Sequence, residues 1–312
     1  MVRWLVFSLL FSFSLQAEQT NGAKWIKKMQ QAVKKLNYEM SFVVVSGNKA
    51  TPWRWFHGLV DDKEIEILTA LNGPGQQMIR VGDVVTYLQP EEAAFSIKGA
   101  IADSPLPEVL SADPKVIQAS YDLHVVGKSR VAGLPARLIR ILSRQDDRYH
   151  YWIWVHEETG LMLKSAVVSN EGEVLEQIQV SNLQVTEESN VLINEVAEAD
   201  LPEPYSVKKR KTMADLDWQI HWVPKGFSPV KLDRHYLLGG REIVDYMMLS
   251  DGIVWCSIYM RPLNQQESIQ PMMLNSGAIT YLSLPMRQHE VTLVGKIPPQ
   301  TAERLLNSIR WK

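Results

Sequence analysis

The side chains best suited to metal binding or nucleophilic chemistry are seven histidines and one cysteine: His57, His124, His150, His156, His221, His235, His289 and Cys256. Their spacing supports neither chemistry. No pair forms a His-Glu-x-x-His or comparable ligand spacing. His150 and His156 stand six positions apart in a run of strand formers, a separation of roughly 20 Å, so they cannot share a metal directly. Cys256 lies in the apolar run Ile253–Met260, where nothing lowers its pKa, and it reads as a buried, inert thiol. A serine elbow, a phosphate loop and a dinucleotide fingerprint are all missing. The expectation is a binding protein with no enzymatic, cofactor or metal site.

Aromatic residues point the same way. Ten tryptophans are present, and Trp53, Trp55, Trp152, Trp154, Trp218, Trp222 and Trp255 fall in or beside strand-like runs. Large rings fill cores, and they also suit contact with a peptide or an acyl chain at low conformational cost. Along residues 149–156 the alternation is informative. Tyr149, Tyr151, Ile153 and Val155 share one face, while His150, Trp152, Trp154 and His156 share the other. Both faces are partly apolar, so both are expected to be covered, by a helix, a loop, a ligand or a second domain.

These residues need elements to hold them. Ile26, Met29, Val33 and Leu36 recur three or four apart, which predicts a helix over 23–36. Strand-like runs follow at 38–45, 53–56, 64–69, 76–80, 84–88 and 94–97, parted by turn formers such as Gly73-Pro74-Gly75 and Gly82-Asp83. Residues 102–120, with Pro105, Pro107 and Pro114, read as an insertion carrying two short helices, placed to fold over an open sheet face. Five more strands, at 121–126, 137–142, 149–155, 161–168 and 174–185, have short hydrophilic connections such as 144–148 and predict an antiparallel meander. The polar, acidic stretch beyond Glu187, with Pro202 and Pro204, is expected to be a linker running to Lys208-Lys209-Arg210-Lys211. A smaller domain follows, with strands near 218–222, 243–249, 253–260, 278–283 and 289–294. The stretch 263–277 reads as irregular, and a helix over 302–310 closes the chain.

The N-terminus carries Arg3, an apolar run from Leu5 to Leu15, then Gln16-Ala17 and a polar stretch. That is the layout of a secretory signal peptide, with cleavage expected after Ala17. The expected division is therefore 1–17 signal peptide, 18–190 first domain, 191–214 linker and 215–312 second domain. The overall charge of −2 hides an asymmetry. Residues 18–207 carry 18 Lys and Arg against 26 Asp and Glu, a net of −8, whereas 208–312 carry 14 against 9, a net of +5. Opposite signs favour contact between the two modules, and the basic one suits an anionic ligand or acidic partner segment. Neither charge argues for nucleic acid.

Several phrases together resemble the RseB/MucB family, the periplasmic negative regulators of the envelope-stress sigma factor. They are Leu36 to Phe42, Asp103-Ser104-Pro105-Leu106-Pro107, Tyr121 to Gly133, Tyr151 to Val155 with its hairpin to Leu163, Trp222 to Phe227, Ser250-Asp251-Gly252 and Pro298 to Ala302. The resemblance implies an α+β chain: a half-open antiparallel β-barrel with helices, like that of the lipoprotein carrier LolA, then a smaller α+β domain. It implies a periplasmic protein that binds the periplasmic segment of a membrane-spanning anti-sigma factor and shields it from regulated proteolysis. Lipopolysaccharide or a related lipid would release it. On residue type and position, Trp218, Trp222 and Phe227 are the expected partner contacts, in a cleft between the domains. Trp152 and Trp154 are the expected lipid contacts, in an acyl-sized cavity inside the first domain beneath the 102–120 cover. A periplasmic lipid or lipoprotein carrier is the competing reading, and a homo-oligomer is left open.

Overall fold

A computed structural model describes residues 21–90, 92–99, 104–205, 216–236, 243–264 and 267–312. The expected signal peptide and the Lys208–Lys211 run lie outside the described residues. The predicted first helix, α1, spans residues 21–35. It precedes β1 (Asn37–Ser46), β2 (Lys49–Val60), β3 (Lys63–Ala70), β4 (Gln77–Val81), β5 (Val84–Leu88) and β6 (Phe95–Lys98). The proline-rich insertion folds as a 3-10 turn (Glu108–Leu110) and α2 (Pro114–Ser120), the latter capped by the Asp113 carboxylate, which accepts from the Lys115 amide. Five strands complete the meander: β7 (Tyr121–Val131), β8 (Leu134–Ser143), β9 (His150–His156), β10 (Met162–Val168) and β11 (Val174–Thr186).

These strands form one sheet that never closes. Its order is β6-β5-β4-β3-β2-β1-β11-β10-β9-β8-β7, so β1 joins two halves and β7 keeps a free edge. The two faces differ sharply. Tyr38, Met40 and Phe42 of β1, Trp55 of β2 and Tyr151, Ile153 and Val155 of β9 all point to the concave side and are buried. Ile26, Met29 and Val33 of α1 fill that concavity. Gln30 on the same helix donates to the carbonyls of Val109 and Ala112 and ties the insertion down as a cover. This is the half-open, helix-filled sheet that the resemblance implied.

Part of the expected linker folds onto this sheet. Residues Val191–Glu198 form α3, started by Asn190, whose side chain accepts from the Leu192 amide. Ile193 is fully buried against Phe56, Ile65, Ile67 and Ile79 on the convex face of the β2–β4 half. Pro204–Tyr205 then pairs in parallel with β6 as β12. The acidic composition concealed this, because a single inward residue per turn suffices to dock a two-turn helix.

The second domain contains β13 (Trp218–Ile220), β14 (Ser228–Tyr236), β15 (Ile243–Ser250), β16 (Trp255–Pro262), β17 (Met272–Ser276), β18 (Ile279–Met286), β19 (His289–Gly295), α4 (Pro299–Asn307) and β20 (Ile309–Trp311). Six strands make an antiparallel sheet, β14-β15-β16-β19-β18-β17, and β13 pairs with β20 beside it. The stretch 263–277, expected to be irregular, supplies the edge strand β17. Ala302, Leu305 and Leu306 of α4 are buried as expected, but the helix ends at Asn307, and Ile309 is buried from a strand instead. Among the described residues, no helix is long and apolar enough to cross a membrane.

Candidate functional site

The two domains are joined by a dense set of polar contacts. At their centre is Arg148, which closes the expected hydrophilic turn 144–148 between β8 and β9 and is nevertheless only 1% exposed. Its Nη1 donates to Asp251 Oδ2 at 2.5 Å, its Nε to Asp147 Oδ1 at 2.7 Å and its Nη2 to the Lys225 carbonyl at 2.6 Å. The guanidinium also lies 5.0 Å from the Phe227 ring centre and 5.7 Å from that of Tyr121. Asp251 is equally occupied. It accepts from the Tyr121 hydroxyl at 2.8 Å, while its Oδ1 accepts from the amides of Ile253 and Val254. Burial and then the neighbouring Tyr151 and Asp251 hold the Tyr121 phenol far above its ordinary range. Burial works against the Arg148 charge, but its hydrogen bond to Asp147 and the fields of Tyr121, Asp251 and Asp147 hold its pKa above the ordinary value.

Further contacts extend this seam. Trp255 Nε1 donates to Glu108 Oε1 at 2.9 Å, so the insertion touches the second domain. Lys296 pairs with Glu176 at 2.7 Å, Thr301 Oγ1 donates to the Asp147 carbonyl, and Tyr149 donates to that of Ile297. The turns at the seam demand glycine. Gly226 has φ +91°, and a Cβ there would stand 2.5 Å from Ser120 Oγ; at Gly252, with φ +102°, it would stand 2.8 Å from Val116. Removing one member of such a buried ion pair typically costs about 3–5 kcal/mol, because the other charge is left uncompensated.

This arrangement decides what the expected partner residues can do. Trp218 is 1% exposed and is a core residue of the β13–β20 pair, opposite Trp311. Phe227 is buried beneath Arg148 in the seam. Neither offers surface to a partner in this arrangement, Trp218 being held in the core and Phe227 in the closed seam. Trp222 is half-buried and accessible. Its backbone is held by Ser308 at the end of α4, and the Arg304 guanidinium lies 3.9 Å from its ring centre.

The expected lipid contacts are also placed differently. Strand alternation puts Trp152 and Trp154 on the convex face, opposite Tyr151, Ile153 and Val155, so they do not line a cavity beneath the insertion. The convex face of β9 is thus only half covered. A cleft of about 440 Å³ opens elsewhere, at the β1–β11 end, lined by Tyr38, Glu39, Gln184 and residues 186–190.

One cluster has metal-ligand chemistry: His57, Glu64 and Glu66, with donor atoms within 4.8 Å of one another. A cation already occupies its electrostatic role. Arg80 Nη2 lies 2.8 Å from Glu64 and 2.9 Å from Glu66. His57 stacks on Tyr38 and bonds through Nδ1 to the Leu36 carbonyl at 2.7 Å. Burial would raise the Glu64 carboxyl, but the His57 and Arg80 hydrogen bonds and charges bring it down to about 2. The set is an ion-pair network bracing the concave wall. His150 and His156 are tied to separate turns, through the Ser143 amide and Thr159 Oγ1. Burial, then Asp251, pushes the Cys256 thiol up to about 12, so it is inert at neutral pH.

Sequence reading missed Arg148, Asp251, Glu108 and Trp255 as a joined set. Arg148 looks like an ordinary turn charge and Asp251 like part of an Asp-Gly turn; no local pattern marks either for burial.

Comparison with known proteins gives an end-to-end match. Residues 21–205 match the MucB/RseB N-terminal domain and residues 212–310 the MucB/RseB C-terminal domain. The chain is 31% identical over 309 residues to the Sigma-E factor regulatory protein RseB of Haemophilus influenzae, covering 99% of this chain and 97% of that protein. It is 25% identical over 299 residues to the Sigma factor AlgU regulatory protein MucB of Pseudomonas aeruginosa, covering 94% and 92%. Among solved structures, the Pseudomonas aeruginosa MucA/MucB complex has a chain of the same fold, with a TM-score of 0.75 at 23% identity, covering 94% of this chain and 99% of that one. MucB in complex with MucA(peri) gives 0.73 at 24%, covering 93% and 99%.

Proposed function

Because the chain belongs to the MucB/RseB family of periplasmic regulators, we propose that it binds the periplasmic segment of a membrane-spanning anti-sigma factor and shields that segment from regulated proteolysis. The observation that carries this reading is the match over both domains and nearly the full length of the sigma-factor regulators. The fold shared with MucB, solved together with MucA(peri), is consistent with it. Release by lipopolysaccharide or a related lipid belongs to the same reading.

Of the three expected partner residues, Trp222 is the one with accessible surface, and Arg304 against its ring adds a charge that suits an acidic segment. It lies in the module with net charge +5. Central tryptophans typically contribute 2 kcal/mol or more to an interface, about 30-fold in affinity. Calorimetric titration with the purified anti-sigma segment tests both levels. The wild-type chain is expected to bind, and Trp222→Ala to weaken binding by about 30-fold while keeping its melting temperature. No binding by the wild-type chain would remove the functional reading; an unchanged Trp222→Ala would remove only the surface.

A further inference from the structure

The convex face of the β8–β10 half holds an arrangement that lies outside the partner contact proposed at Trp222. Cross-strand register sets Arg140 of β8 beside Trp152 of β9, and Trp154 beside Lys164 of β10. The Arg140 guanidinium lies 4.7 Å from the Trp152 ring centre and the Lys164 ammonium 4.9 Å from that of Trp154. The two indoles meet edge to face, with centres 6.4 Å apart. Among the described residues, neither cation has a carboxylate partner, and Arg140 Nε is buried with no hydrogen-bond acceptor. Of the other arginines in this domain, Arg54, Arg80, Arg137, Arg144 and Arg148 are each paired with an acid, while Arg130 donates to the Gly133 carbonyl. Arg140 and Lys164 are both half-buried, where a charge without an acid is costlier than at the open surface.

The surroundings are apolar. By register, the two rows continue through Leu138 and Ala166 to Val43 and Val45, the last of these 39% exposed, with Gln177 and Gln179 between and no carboxylate in either row. The convex face of the other half, by contrast, is sealed by Ile193 of α3.

We propose that this face is a docking surface for an anionic lipid bilayer, with Arg140 and Lys164 meeting headgroup phosphates and Trp152 and Trp154 at the depth of the headgroups. Indoles suit that depth, having an apolar body and a polar N–H, and basic side chains extend over apolar surface to reach charge. The surface is a sheet face rather than a cavity, so it fits a planar array of headgroups and not one engulfed acyl chain. This docking is separate from anti-sigma binding and would orient the regulator on a leaflet while its second domain holds the partner.

The test is co-sedimentation of the full chain with vesicles of phosphatidylethanolamine and phosphatidylglycerol, against vesicles of phosphatidylethanolamine and phosphatidylcholine. Binding only to the anionic vesicles, weakened by salt, is expected. The double change Arg140→Gln with Lys164→Gln is expected to lower the partition coefficient by about 25-fold, since each basic residue at an anionic surface contributes about 1 kcal/mol, or about 5-fold. A near-ultraviolet spectrum and melting temperature matching wild type would show that the variant folds. Lys164→Gln alone, with an expected loss of about 5-fold, keeps the test available if the double variant does not fold. Equal binding to both vesicle types, no binding, or full binding by the folded variants would overturn the proposal. So would capture of poly-glutamate without vesicle binding, which would make the face a site for acidic peptide. Anti-sigma titration of the same variants separates this outcome from the partner reading, because it is expected not to change.

Discussion

Arg148 at the seam and Arg140 on the convex face are both arginines laid over aromatic rings, yet they sit in opposite circumstances. Arg148 is fully enclosed and its three donor directions end on Asp147, Asp251 and the Lys225 carbonyl. Arg140 is half-buried, rests on Trp152 and has no carboxylate partner among the described residues. The same local motif therefore serves two ends. Where each guanidinium nitrogen meets an acceptor, the charge fixes one domain against the other; where no acid is met, the charge is available to something outside the chain.

Replacing Asp251 by Ala should test that contrast most severely. It leaves Arg148 buried without its closest acid, and a stability loss of about 3–5 kcal/mol is expected in urea unfolding. A loss below about 1 kcal/mol would show that the seam is open in solution. The next effect is expected in pH dependence. Burial holds the Glu108 carboxyl above its ordinary value of 4.5, so the folded chain keeps this proton to higher pH than the unfolded chain. Stability from this group should therefore rise as pH falls from above the raised value towards 4.5 and level off below it, with a slope of at most about 1.4 kcal/mol per pH unit. Glu108→Gln, which can still accept from Trp255, should flatten that part of a melting-temperature profile. The smallest effect belongs to the convex face. Arg140→Ala and Lys164→Ala should each cost about 0.5–1 kcal/mol, the scale of an exposed cation–π contact. A cost near that of Asp251→Ala would make the face a structural element and break the contrast.

The sequence disclosed elements better than it disclosed surroundings. Alternation along 149–156 separated Trp152 and Trp154 from Tyr151 and Ile153, but period-two patterning cannot say which face looks inward. The α1 stripe was legible because four apolar residues recur at helical spacing. Helix α3 was not, since Ile193 is its one buried residue and its short apolar run sits within a stretch rich in acids, Glu187, Glu188, Glu195, Glu198 and Asp200 among them. Strand β17 escaped because its residues are nearly all exposed. The Arg148–Asp251 pair is 103 positions apart in the chain, and only the folded arrangement of two domains makes it a pair. Family resemblance succeeded where local rules failed because it sums many weak matches over both domains.

The claim that this chain guards an anti-sigma factor is tested most directly by proteolysis. The purified periplasmic segment of the anti-sigma factor, incubated with the protease that initiates its degradation, should be cleaved slowly when an equimolar amount of the full chain is present and rapidly when it is omitted. Equal cleavage rates in both reactions, with the chain shown to be folded, would contradict the account.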